Sequence, residues 1–150
     1  MKESTGNLWD AKPEFIKCIT TNGVVKKNGE LVMGAGVALQ AKERYPQLPS
    51  LLGSYVKRSG NMVYYFKDLN IASFPTKNNW KDKSDIQLII KSCIQLNMLL
   101  ESLNEDNFNH FSCYAVLSRP GCGKGGLDWE KEVKPVISKI LSDRVWVITI

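Results

Sequence analysis

The chain has 150 residues, a formal net charge of +5, and 43% hydrophobic and 23% charged residues. That length suits one domain with its own core, and that apolar content excludes a disordered chain. No apolar run reaches the ~18 residues of a membrane span, and the opening MKESTGNLWD lacks the apolar segment of a secretory signal, so a cytoplasmic protein that engages no membrane is expected.

In chain order, FIKCITT at 15–21 predicts a buried strand that enters a turn at Asn22-Gly23. A polar loop, NGVVKKNGEL, leads to MGAGVALQAKERYP, where Gly34 and Gly36 precede a helical stretch stopped by Pro46. MVYYF and LNIASF read as two strands joined by Lys67-Asp68. Ser84 suits the N-cap of the longest helix, 85–103, whose Ile86, Ile89, Ile90, Cys93, Leu96, Leu100 and Leu103 recur at three- and four-residue spacing. FSCYAVLS at 111–118 predicts another strand, which runs into RPGCGKGGLDW. A helical pattern follows with Trp129, Val133, Ile137 and Ile140, and Pro135 inside it predicts a kink or a late start. RVWVITI closes the chain as a strand paired inside the sheet.

Strands and helices alternate with no repeat or linker, which predicts one α/β domain over 1–150 with helices on both faces of a mixed sheet. Ligands of such sheets lie beyond the carboxyl ends of strands. Both glycine-rich segments fall there, each after a strand and before a helix. A bare loop at a helix N-terminus offers free N–H donors and a positive dipole end, which suits phosphate. Two such loops point to a diphosphate held from two sides.

Standard nucleotide fingerprints do not fit. GCGKGG has no Ser or Thr after its lysine, and GAGVAL lacks the spacing of a dinucleotide site. Cys18, Cys93, Cys113 and Cys122 form no C-x-x-C pair, and His110 is the sole histidine, so neither a zinc site nor a disulfide framework is predicted. The basic clusters Lys26–Lys27, Lys57–Arg58 and Lys81–Lys83 are compatible with an anionic partner and with a solvated surface alike.

The ordered set GNLWD, TTN, MGAGVA, FPTKNNW and PGCGKGGLDWE resembles a macro domain. Within that family it looks most like the branch of DNA-ADP-ribosyl glycohydrolase antitoxins and the terminal ADP-ribose protein glycohydrolase. The resemblance covers nearly the whole chain. It implies a three-layer α/β/α fold with a mixed, mostly parallel central sheet, an ADP-ribose cleft, and no metal or other cofactor.

Position by position, Gly34, Ala35, Gly36 and Val37 match the loop along the diphosphate and distal ribose. Gly121, Cys122, Gly123, Lys124, Gly125 and Gly126, preceded by Pro120, match the second phosphate loop. Asn22 matches an asparagine that contacts the distal ribose, and it also fits an ordinary turn. Asn7, with Leu8 beside it, stands where many macro domains carry an acid that accepts from the adenine, which weakens base selectivity here. Lys77 in FPTK matches the essential lysine of the related glycohydrolases. Its amine would attack the anomeric carbon of the distal ribose in a Schiff-base-type adduct, which requires a depressed pKa.

Gly125 occupies the place where the protein-directed enzyme has a catalytic carboxylate, and the DNA-directed branch has glycine there. Asp128, the nearest acid, reads as a helix N-cap before Trp129 or as acid/base help to Lys77. Trp80 is balanced between stacking on a ligand and packing in the core. The insertion VVKKNGE would cover the ligand or touch a macromolecule.

The expected activity is hydrolysis of an ADP-ribosyl linkage on DNA or protein. Processing of ADP-ribose 1″-phosphate or O-acetyl-ADP-ribose comes second, a non-catalytic ADP-ribose reader third, and a generic nucleic-acid binder last. The expected partner is ADP-ribose or an ADP-ribosylated macromolecule, and a monomer is the default.

Overall fold

Residues 1–105 and 113–150 of the chain are described by a computed structural model. Of the strand predicted at 111–118, Ala115–Ser118 forms, while Phe111 and Ser112, like His110, lie outside the described residues.

Ile16–Thr21 (β2) lies at the heart of a six-stranded sheet of order β1-β6-β5-β2-β4-β3. The other strands are Lys2–Thr5 (β1), Tyr65–Phe66 (β3), Ile71–Pro75 (β4), Ala115–Ser118 (β5) and Val145–Thr149 (β6). All neighbours pair parallel except β3 with β4. The inner strands are apolar over most of their length because both of their faces are covered. Alternation along them sorts side chains into two cores. Ile16, Cys18, Ala72, Phe74, Val145 and Val147 enter one, while Ile19, Ile71, Val116 and Ile148 enter the other.

The first core is closed by Ile86–Glu105 (α3) and by Lys134–Ile137 (α4). The predicted stripe of α3 packs there through Ile89, Cys93, Leu96 and Leu100, all at 0–1% exposure. No continuous apolar run spans it, yet Ile86–Asn104 is long and apolar enough on average to cross a membrane, with a mean hydropathy of 1.2. Its stripe is committed to the sheet, as in a core helix. The N-cap is Asp85 rather than Ser84, since the Asp85 carboxylate accepts from Gln87 N at 2.9 Å. The second core is closed by Gly36–Arg44 (α1) and Leu48–Ser59 (α2).

Other expectations are also corrected. The strand predicted over MVYYF shrinks to two residues, because Val63 N donates to Gln95 Oε1 at 2.9 Å and Tyr64 N to Ser73 Oγ at 2.8 Å. Side chains thus take donors that a longer ladder would have used. Pro135 delays the last helix: a π-helical turn, Trp129–Val133, precedes α4 and leaves the proline in its first turn. The predicted closing strand β6 is interior because β1, which the sequence reading left out, pairs along its outer side.

Candidate functional site

The connection leaving β2 reaches β4 on one side of it, while β5, which arrives later, pairs on the other. Strand order therefore reverses at β2, and a crevice opens beyond the carboxyl ends of β5, β2 and β4. A cleft of about 860 Å³ occupies this position.

Three groups of residues build its wall. Thr20, Thr21 and Asn22 come from the end of β2, and Gly34–Ala38 from the loop that starts α1. The N-terminus of any helix leaves N–H groups without intrahelical acceptors, and its dipole favours an anion. Gly36 sits at φ 57, a left-handed conformation that a side chain would strain. Thr76, Lys77 and the segment Trp80–Ser84 come from the end of β4. Ser118, Arg119 and Gly121–Gly126 come from the end of β5.

The second loop is close-packed on its inner side. A Cβ on Gly121, which has φ 78, would meet Ile89 Cδ1 at 2.8 Å, and one on Gly125 would run into the Ser84 hydroxyl and the Gly121 carbonyl. Ser84 N donates to Gly125 O at 2.9 Å, so the predicted capping serine instead pins this loop from below. By contrast, a Cβ on Gly34 or Gly123 would meet nothing within 4 Å.

Among the described residues, the lining carries five cationic side chains, Lys77, Lys81, Lys83, Arg119 and Lys124, against one acid, Asp82. Lys77 and Arg119 are half-buried and the other three cations exposed, and their convergence on one cleft favours an anion there. Arg119 is held by the Trp129 ring, 4.9 Å from its guanidinium carbon. The Lys77 amine reaches Trp80 O at 3.5 Å, and Trp80 itself is 51% exposed at the cleft rather than in the core. Cys122 is half-buried, with its thiol directed to Pro120 O at 3.4 Å, and burial pushes that thiol up to about 11.

Lys77, Asn22 and all predicted members of the two loops except Pro120 line this one cleft. Four predicted residues do not. The Asn7 side chain accepts from Trp9 N at 2.9 Å and caps a short 3-10 turn, Leu8–Asp10. Leu8 is a core residue at 4% exposure, and Pro120 is buried behind its loop. The Asp128 carboxylate accepts from Lys131 N at 2.8 Å while Glu132 accepts from Asp128 N, a reciprocal cap that gives Asp128 its helix-capping role and no place in the wall. Arg119 and Lys83 are wall residues that the sequence reading missed as site candidates. The available signal was a cation directly after strand β5 and one just before the longest helix.

The Asn22 side chain is engaged on both ends, accepting from Val24 N and donating to Val32 O, each at 2.9 Å. It staples the turn after β2 to the strand-like segment before Gly34. The insertion between them folds back through a bridge of Val25 with Leu31 and packs on α2, where Gly29 O lies against Gly53. Of that insertion, VVKKNGE, no residue lines the cleft.

No protein-family profile matches the chain. The DNA ADP-ribosyl glycohydrolase of Mycobacterium tuberculosis is 32% identical over 118 residues, a match that covers 71% of this chain and 31% of that protein. The chain thus spans about a third of the length of this curated relative. Among solved structures, the macrodomain of Thermus aquaticus DarG superposes with a TM-score of 0.77 at 28% identity, covering 99% of this chain and 97% of the other. Thermosipho africanus DarTG, solved in complex with ADP-ribose, shares the fold with a TM-score of 0.71 at 22% identity, over 98% of this chain and 41% of the other.

Proposed function

The chain belongs to the macrodomain family and is similar to its DNA ADP-ribosyl glycohydrolase branch, and from that premise we propose that it binds ADP-ribose and hydrolyses an ADP-ribosyl linkage with Lys77 as nucleophile. One observation carries the reading. Two glycine-rich loops and the Lys77 amine share a single electropositive cleft at the switch point of the sheet. The loops supply backbone N–H groups and a helix start for the diphosphate, and Lys77 rises from the end of β4 toward the same space.

In the proposed reaction the neutral Lys77 amine attacks the anomeric carbon of the distal ribose. The bond from that carbon to the macromolecule breaks, and the leaving group takes the proton that the amine gives up. Water then cleaves the new carbon–nitrogen bond, which releases ADP-ribose and restores the amine. Lys81, Lys83 and Lys124 line the same cleft and favour the anionic diphosphate there. Asp128 is not needed as a proton carrier.

The test is Lys77→Ala. Turnover of an ADP-ribosylated oligonucleotide falls by about 100-fold or more, while calorimetric affinity for ADP-ribose persists. Retained turnover would overturn the lysine mechanism. Affinity in the wild type with no turnover of an ADP-ribosylated oligonucleotide or protein would make the domain a reader of ADP-ribose.

A further inference from the structure

Asn61 lies outside the cleft, directly after the residue that terminates α2, yet it touches the backbone of Lys77. Its Nδ2 donates to Lys77 O at 2.9 Å and to Asn78 Oδ1 at 3.2 Å. On its other side it meets the turn after β2. A Cβ on Gly23 would come within 2.9 Å of Asn61 Nδ2, and Gly23 N donates to Asn78 O at 3.1 Å. One amide therefore joins three segments: the end of α2, the turn that carries Asn22, and the loop that carries Lys77.

The orientation of this amide has a cost. Asn61 Oδ1 is buried and has no hydrogen-bond partner among the described residues. Turning the amide over would set Oδ1 against the Lys77 carbonyl oxygen and Asn78 Oδ1, both acceptors. A buried orphan acceptor is uncommon enough in native structures to require an explanation. Here the explanation is that both N–H groups are committed to the Lys77 loop. Among the described residues, the Lys77 amine makes one weak polar contact, a 3.5 Å approach to Trp80 O. Its backbone is where its position is set.

We infer that Asn61 is a positioning residue: it holds the Lys77 main chain at the height from which the amine meets the anomeric carbon, without touching the substrate. The inference rests on the lysine reading above. It follows that loss of the amide donor degrades the chemical step more than it degrades binding, because the diphosphate is held by the two glycine loops on the other sides of the cleft. A misplacement of about 1 Å at a reacting group costs on the order of 100-fold in rate, whereas the loops are unaffected.

The experiment compares wild type, Asn61→Asp, Asn61→Ser and Lys77→Ala. Asn61→Asp keeps the shape and replaces the donor with an oxygen facing two acceptors. Asn61→Ser removes the reach without adding charge, and it carries the same test should the aspartate variant fail to fold. Turnover of an ADP-ribosylated oligonucleotide and calorimetric Kd for ADP-ribose are measured on each. The expected result is a kcat lowered at least about tenfold with Kd within about threefold of wild type. A kcat within about threefold of wild type, or a kcat loss matched by an equal loss of affinity, overturns the inference. Turnover retained in Lys77→Ala overturns the lysine reading instead, whatever the Asn61 variants do.

Discussion

Among the nucleophilic side chains that line the cleft are the Lys77 amine and the Cys122 thiol. Reactivity of a thiol requires the thiolate. Burial holds the Cys122 thiol near 11 against the pull of Arg119, and Asp128 and Glu132 push in the same direction as burial, so at neutral pH it stays protonated. Cys122→Ser is thus expected to leave turnover within about threefold of wild type, and iodoacetamide is expected to label the native protein slowly at pH 7 and faster as pH approaches that value. Rapid labelling at pH 7 together with lost turnover would make the thiol the nucleophile. The glycines divide in a similar way. Gly125 is required by its neighbours, since a Cβ would strike Ser84 and the Gly121 carbonyl. Gly123 is required by nothing in the protein, since its outer side is open and its φ is outside the left-handed range. Gly125→Ala is expected to lower stability by about 1–3 kcal/mol. Gly123→Ala is expected to leave stability unchanged or raise it by about 0.4–1 kcal/mol, while weakening ADP-ribose binding about tenfold. Denaturant titration beside calorimetry separates the two, and an unchanged ADP-ribose affinity in Gly123→Ala would deny the open glycine a role in binding.

At the scale of elements, what could be read in advance was whatever buries a patterned face. β2, β4, β6 and α3 each carry a run or stripe that meets the sheet core, and the sequence declares them. β1 declares nothing: its four residues, KEST, are all exposed, and it forms because β6 offers an unpaired edge. Lys134 closes on its Glu3 at 2.9 Å, a contact made between residues far apart in the chain. α2 carries local signals as well. Leu48, Leu52 and Val56 recur at four-residue spacing, Pro49 sits in the first turn, and Gly60 at φ 99 stops the helix. The same unevenness runs through the site. Glycine loops and FPTK are local patterns, whereas Asn61 and Arg119 gain their roles only when α2, β4 and β5 end side by side. α2 also bears on the insertion, because Gly29 O lies where a Gly53 side chain would be and Leu31 N donates to Pro49 O at 2.9 Å. Gly53→Ala is expected to push the insertion off α2 and cost about 1–3 kcal/mol, read as a lowered midpoint in thermal or denaturant unfolding. An unchanged midpoint would mean that the insertion is not seated on the helix.

Across the whole molecule, a net charge of +5 is modest, and its placement matters more than its size. Five cations and one acid converge on the crevice where strand order reverses, so the field inside is stronger than the average surface would suggest. Both negative charges of a diphosphate would lie in that field. The interaction reaches beyond direct contacts, since Lys81, Lys83 and Lys124 are exposed and act through solvent. Solvent-borne charge is screened over about 10 Å at 0.1 M salt and about 3 Å at 1 M. ADP-ribose affinity is therefore expected to fall several-fold between those limits, whereas binding of uncharged adenosine, if measurable, is expected to change little. Replacing Lys83 and Lys124 together by Gln is expected to flatten that salt dependence and leave the melting temperature unchanged, because neither side chain is buried. Calorimetric titrations across salt concentrations check both expectations. An affinity for ADP-ribose that ignores salt would mean that the backbone donors alone hold the diphosphate and that the convergence of cations serves something other than this ligand.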